Sequence, residues 1–224
     1  MAKKRIIAIL GLGHVGAHVA YSLAVQGIAD ELILVDQNEQ KVASEVQDLR
    51  DSVAYFEHRV TVRAGDFSDL GECDLIVNSV GKIELLLGNQ QFAPWSCVSF
   101  RGMSLEEWAR RDERFRFDRE ALTKEAIHGG WVTFSGKYCT EYGIATTAAR
   151  MASIVLHDEK AVMPASMELC GEYGESGLFA GVPCVLGANG VEQVIELPLT
   201  AEEKHTFHQC CEGIRQNMEH LKEL

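Results

Sequence analysis

Apolar and polar positions follow one another in short, regular blocks, and the first blocks organise the rest of the chain. Ile6–Leu10 (IIAIL) is a β-branched run of the kind that forms a buried parallel strand. Val15, Val19, Ser22 and Leu23 then recur at helical spacing, and Gly27 closes that helix. A second apolar run, 32–35 (LILV), ends on Asp36. Residues 38–55 mix polar and apolar positions as a helix would. Residues 59–63 (RVTVR) alternate as a short strand, 64–66 turn out of it, and 74–80 (DLIVNSV) form the next buried strand. Residues 6–80 thus predict β-α-β-(α)-β-β, the first mononucleotide half of a doubly wound parallel α/β sheet in the order 3-2-1-4.

The later half has a different rhythm. Asp118 can cap a helix running toward His128, with Gly129–Gly130 near its end. Ile144, Ala148, Met151, Ala152 and Val155 form one apolar face of the next helix. Short strands are expected around 162–169, 178–186 and 193–197, with Asn189–Gly190 turning between the last two. Pro198 and the Thr200-x-x-Glu203 capping box open a final helix. Its stripe is Phe207, Cys210, Cys211, Ile214, Met218 and Leu221, which must pack on its own domain or against another subunit.

Gly11, Gly13 and Gly16 stand in G-x-G-x-x-G spacing between the first strand and its helix. Gly11 permits a tight turn, Gly13 lets a pyrophosphate approach the backbone, and Gly16 allows close packing. The turn Gly11–Leu12–Gly13–His14–Val15–Gly16 is therefore a candidate phosphate cradle, with unpaired N–H groups and a positive dipole end at the helix start. Asp36 can accept hydrogen bonds from a ribose hydroxyl and would repel a phosphate there, which favours NAD over NADP. Gly81, after the fourth strand, would lie beside the bound dinucleotide.

Composition narrows the field further. The 224 residues suit one large domain or two small ones, and 46% hydrophobic content can bury a core. A net charge of −12, with no basic block beyond Lys3–Lys4–Arg5, argues against nucleic acid as a partner. No apolar stretch approaches a membrane span, and the first one is too short for a signal peptide. Seven cysteines without C-x-x-C spacing read as thiols in a reducing cytoplasm, and neither they nor the eight histidines form a metal-ligand pattern.

GLGHVGAHVAYSLAVQGIADELILVDQNEQK resembles the NAD-dependent lactate/malate dehydrogenase family, in its L-2-hydroxyisocaproate and L-lactate dehydrogenase branch. QFAPWSCVSFRGMSL is similar to the strand pair after that family's catalytic histidine. GKYCTEYGIATTAARM resembles its substrate-domain helix, and LFAGVPCVLGANGVEQVIELPLTAEEK its closing hairpin and last helix. The resemblance implies a partial dinucleotide-binding domain over residues 1–90 and an α+β substrate domain over 91–224. It implies NAD as cofactor, a small 2-hydroxy or 2-oxo acid as substrate, and a homo-oligomer. It also places Thr140 against the substrate side chain and Ile144 against the nicotinamide.

The family's catalytic centre has no visible counterpart. Gly88–Asn89–Gln90 resembles the start of the family's mobile loop, yet it runs straight into Gln91–Phe92, which resembles the residues just after the catalytic histidine. At about 30 residues per βαβ unit, roughly 80 residues are absent. With them go the polarising arginine, the aspartate and arginine of a D-x-x-R pattern, and the histidine, so no catalytic residue is assigned. Gly171–Glu172–Tyr173–Gly174 reads as a turn, and His14 and His18 as surface or packing residues. Arg101 and Arg110–Arg111 lie in a charge-rich, solvated segment. Three outcomes stay open: an NAD-dependent L-2-hydroxy acid dehydrogenase, a catalytically silent NAD-binding subunit, or an internally deleted product without function. The unpartnered half-sheet should expose hydrophobic patches.

Overall fold

Five apolar residues in a row make β1 (Ile6–Leu10) the middle of a four-stranded sheet, as a strand covered on both faces requires. The computed structural model describes residues 3–81 and 91–222. Around β1 run α1 (His14–Val25), β2 (Glu31–Val35), α2 (Glu39–Val53), β3 (Thr61–Ala64) and β4 (Leu75–Asn78). The strand order is β3-β2-β1-β4, with every pairing parallel and Ile7 in register with both Leu32 and Leu75. The expected topology is therefore present, with the elements trimmed by one or two residues at their ends. β2 is buried along its whole length, and Asn38 caps α2 by accepting from the Lys41 N–H at 3.1 Å.

The chain divides into two compact units. Among the described residues the first holds 3–81, Lys137–Ala161 and Leu186–Gly190, so it takes in α5 (Tyr142–His157) as well as the sheet. The sheet and α5 therefore share one unit. In α5 Ala152 of the expected Ile144–Ala148–Met151–Ala152–Val155 face is buried and Ala148 packs partly buried on the same core, while Ala145, Ala149 and Ile154 are buried as well and Ile144 is exposed. Three alanines leave room for a close approach to α1, and they join Val19, Leu23 and Ala24 in one cluster.

The second unit contains the hairpin β5 (Ser99–Phe100) and β6 (Met103–Ser104), α3 (Leu105–Arg111) and α4 (Arg119–Lys137). It also contains most of β7 (Ala161–Cys170) and β8 (Ser176–Gly187), with β9 (Gly190–Val194) and α6 (Ala201–Lys222). β7-β8-β9 form one sheet whose core joins Leu169, Leu178, Val182 and Cys184 to Phe207 and Cys211 of α6. Thr200 and Glu203 make the expected capping box, the Glu203 N–H donating to Thr200 Oγ1 at 3.2 Å and the Thr200 N–H to Glu203 Oε2 at 3.0 Å. Asp118 caps α4 through the Ala121 N–H at 2.9 Å. That helix runs straight through Gly129–Gly130 to Lys137, further than the paired glycines suggest. β9 likewise starts at Gly190 and stops before Leu197. Tyr173 of the Gly171–Gly174 turn donates its hydroxyl to the Ile195 carbonyl at 3.0 Å and accepts the Leu197 N–H at 2.8 Å, a structural anchor.

Exposed apolar faces appear where partners were expected to be missing. Among the described residues β4 pairs on one side only; Ile76 is exposed on it, and Val80 is exposed just beyond its end. α4 has no buried residue and presents Trp131, Val132 and Phe134 to solvent.

Before β1 and β2, Arg5 and Asp30 close on each other. The Arg5 Nε and Nη2 donate to Asp30 at 3.0 Å, and the Arg5 N–H does so at 2.8 Å. The guanidinium, then the peptide N–H, lower the Asp30 carboxyl to about 2. A depressed folded value means that the stabilisation is complete above the unfolded value of about 3.9 and is lost as pH falls toward the folded one. Asp30→Asn should cost about 1 kcal/mol or less at neutral pH, because both partners are partly solvated. It should also flatten the decline of the urea midpoint between pH 4.5 and pH 2 that the unaltered protein shows.

Candidate functional site

The glycine turn and the sheet's carboxyl edge enclose a cleft of about 440 Å³ within the first unit. Gly11, Gly13, Asp36, Phe67, Ser79 and Gly81 line it, so four of the residues picked from the sequence meet at one place. Each glycine is required for a different reason. Gly11 has φ +84°, a left-handed turn conformation that side chains avoid. A Cβ on Gly16 would stand 1.9 Å from the Gly11 carbonyl oxygen and 2.5 Å from Ser79 Oγ, so the helix can approach the turn only without one. A Cβ on Gly13 would meet nothing within 4 Å. That open space lies at the N-cap of α1, where no side chain caps the helix and its first turn carries no acid. Uncapped N–H groups and an empty approach suit a pyrophosphate.

Asp36 sits at the far side. Its Oδ2 accepts the Leu12 N–H at 2.7 Å and its Oδ1 the Asn38 N–H at 3.0 Å. These two bonds hold its carboxyl below the ordinary range, so the group stays anionic at neutral pH and below. Leu12 is fully buried and its N–H is spent on Asp36; it shapes the turn rather than facing the cleft. Val15 packs partly buried against the core of the sheet, and Gly16 lies behind the turn. Ser79 was not singled out in the sequence. Its hydroxyl lies 3.0 Å from the Leu10 carbonyl and 2.7 Å from that of Gly11, pinning the turn to β4. Phe67, exposed on the cleft rim, also gave no signal beyond being an aromatic in a polar stretch.

Thr140, Glu141 and Ile144 belong to this same unit, at the start of α5. Thr140 and Ile144 are exposed and do not line the cleft. His14 opens α1, and its Nδ1 lies 2.9 Å from Glu141 Oε1. His14 is thus a surface residue, as its sequence context suggested, with a buried carboxylate partner that sequence spacing could not reveal. Among the described residues no cluster of three metal-ligating side chains occurs, and no helix is long and apolar enough to cross a membrane.

Residues 5–83 match the family model for the lactate/malate dehydrogenase NAD binding domain, and residues 88–224 match that for the alpha/beta C-terminal domain of the same family. The chain belongs to the lactate/malate dehydrogenase family. It is 26% identical to an L-lactate dehydrogenase of Fusobacterium nucleatum, with 98% of this chain and 98% of the relative covered. To L-lactate dehydrogenase 1 of Bifidobacterium longum it is 25% identical, with 96% and 97% covered. Among solved structures, the minor L-lactate dehydrogenase of Enterococcus mundtii in its ligands-bound form superimposes with a TM-score of 0.88 at 23% identity, covering 96% of this chain and 98% of that one. A lactate dehydrogenase from a deep-sea metagenome, MGS-M5, reaches 0.92 at 18%, covering 97% and 99%. These two likenesses concern the fold. By family this lactate/malate dehydrogenase relative is an NAD-dependent hydroxy acid dehydrogenase, and NAD is the cofactor of its first domain.

Proposed function

We propose that this chain interconverts an L-2-hydroxy acid, of the lactate or 2-hydroxyisocaproate type, and its 2-oxo acid. The observation that carries the reading is the cleft itself: open space at Gly13, an uncapped helix start, and an anionic Asp36 opposite. The backbone of the turn from Gly13 to Val15 would hold the pyrophosphate, Asp36 a ribose hydroxyl, and the carboxyl edge at Ser79–Gly81 the nicotinamide half. Phe67 offers a ring for the adenine. NAD, when bound there, supplies the hydride acceptor. Thr140 would face the substrate side chain and Ile144 the nicotinamide. We place the protein in the cytoplasm, in agreement with seven free cysteines, and expect it to assemble with copies of itself through its exposed apolar faces.

The same reading includes an internal deletion. In its support, the alignment with the Fusobacterium relative runs over 310 positions against a chain of 224 residues, and the two family matches adjoin at 83 and 88. The junction at Gly88–Gln90 lies outside the described residues. A second reading, a silent NAD-binding subunit, is favoured by one observation: none of the family's four charged catalytic groups has a match in the sequence.

Fluorescence titration with NADH and NADPH, beside a turnover assay with pyruvate and branched 2-oxo acids, tests both. NADH should bind at least tenfold more tightly than NADPH, because Asp36 repels a 2′-phosphate. Asp36→Ser should erase most of that preference. Equal affinity for the two nucleotides in the unaltered protein would sink the assignment of the cleft, and binding without turnover would favour the silent subunit.

A further inference from the structure

A dehydrogenase without its family's histidine needs another proton acceptor, and one pair of residues in the first unit has the form of one. Glu141 holds the N-cap position of α5, yet its side chain caps none of that helix's N–H groups. It is buried and turned toward the start of α1, with Oε1 2.9 Å from His14 Nδ1 and Oε2 3.7 Å from His18 Nε2. Lys137, at the end of α4, reaches Oε2 at 2.9 Å and sits 3.9 Å above the Tyr142 ring. His18 is fixed on two sides: its Nδ1 donates to the His14 carbonyl at 2.6 Å, and its ring meets Tyr142 edge-on at 5.3 Å.

His14 is held differently. Its side chain is 76% exposed and one ring nitrogen is engaged by a carboxylate that is only 9% exposed. Donation from Nδ1 to Glu141 leaves Nε2 with a free lone pair facing solvent. A carboxylate that fixes the tautomer and would stabilise the imidazolium is what general-base chemistry asks of such a couple. Its location fits as well. His14 follows Gly13, whose missing side chain leaves open space, and Glu141 lies between Thr140 and Ile144.

The geometry points to His14 as the proton acceptor for hydroxy acid oxidation, with Glu141 as its positioning residue. The inference rests on the dehydrogenase reading above and supplies the acid–base group that reading lacks. As the substrate is oxidised, its O–H bond breaks and the proton passes to His14 Nε2. The C2–H bond breaks with its electron pair leaving as hydride to NAD, while the O–H electron pair becomes the second bond of the oxo group. The imidazolium is then paired with Glu141, which His18 and Lys137 also face. In the reverse direction His14 returns the proton.

His14→Gln and Glu141→Gln, each checked by circular dichroism, separate the possibilities. NADH affinity of Glu141→Gln should stay within about threefold of the unaltered protein. His14→Gln should lower kcat at least a hundredfold with little change in KM, the low end of what a general base supplies. Glu141→Gln should lower kcat by less than His14→Gln does, with KM little changed. Nitrogen-15 spectra of the imidazoles, read without any assay, should show His14 protonated at Nδ1 in the unaltered protein and redistributed in Glu141→Gln. Should His14→Gln unfold, the kcat and the spectrum of Glu141→Gln decide. Unaltered protein that binds NADH but reduces no 2-oxo acid would overturn the proposal and leave NAD binding standing. So would a His14→Gln variant with full kcat. Failure of the unaltered protein to bind NADH would bring down the dehydrogenase reading and this one together.

Discussion

Gly16→Ala is expected to unfold or severely loosen the dinucleotide cleft, while Gly13→Ala leaves the fold intact and removes binding. The two substitutions add the same methyl group, three residues apart, to opposite environments. At Gly16 the new carbon would stand 1.9 Å from the Gly11 carbonyl oxygen, a backbone atom already fixed by the Ser79 hydroxyl at 2.7 Å. Neither atom can give way without moving the turn or β4, so the cost should reach the upper part of the overpacking range, about 3 kcal/mol or more. At Gly13 nothing lies within 4 Å, and φ is −66°, where alanine is at ease. The stability cost there should be about 1 kcal/mol or less, the difference between glycine and alanine at an N-cap. NADH affinity should nevertheless fall at least tenfold, because the methyl group occupies the pyrophosphate's approach. Urea midpoints and NADH titrations on both variants check the pair. A Gly16→Ala protein as stable as its parent would show that helix and turn are less tightly apposed than described.

Glu175→Ala should destabilise the second unit more than the loss of any solvent-exposed carboxylate there. The carboxylate is 4% exposed and joins the β7–β8 region to α6 through two partners, His208 Nδ1 at 2.5 Å and Arg215 Nη2 at 2.6 Å. Burial alone would raise its carboxyl, but the hydrogen bonds from His208 and Arg215 outweigh that and hold it below the ordinary range. Truncation would strand both donors. They are partly exposed and can turn to water, so the loss should be about 2 kcal/mol rather than the 3–5 of a wholly buried pair. The sign with pH follows from the depressed value. The contribution is complete above the unfolded glutamate value of about 4.3 and disappears as pH falls through the folded one. Thermal melts of Glu175→Ala and its parent should therefore differ most near neutrality and converge in acid. A constant gap down to pH 2 would mean that packing, not charge, is what the residue contributes.

The expected hydrophobic patches also have a consequence for handling. β4 with one partner and α4 with no buried residue leave Ile76, Val80, Trp131 and Val132 in water.

Local signals in the sequence were enough for the nucleotide half. An unbroken apolar strand, three glycines at set spacing and a terminal acid predicted the sheet order, the turn and the meeting of Gly11, Gly13 and Asp36 at one cleft, because each depends on neighbours within one βαβ unit. Caps at Asp118 and at Thr200–Glu203 were legible for the same reason: donor and acceptor lie three residues apart. What lay beyond the sequence was which face each helix would bury. Periodicity marked Ile144, Ala148, Met151, Ala152 and Val155 on α5; packing in one core with α1 kept Ala148 and Ala152, added Ala145 and Ala149, and left Ile144 exposed, since small side chains allow the closer approach. Nor could spacing pair His14 with Glu141, or Glu175 with His208 and Arg215. Such ion pairs carry no periodic signature; they arise when separate elements bring charges together at a site where burial obliges each carboxylate to find a partner.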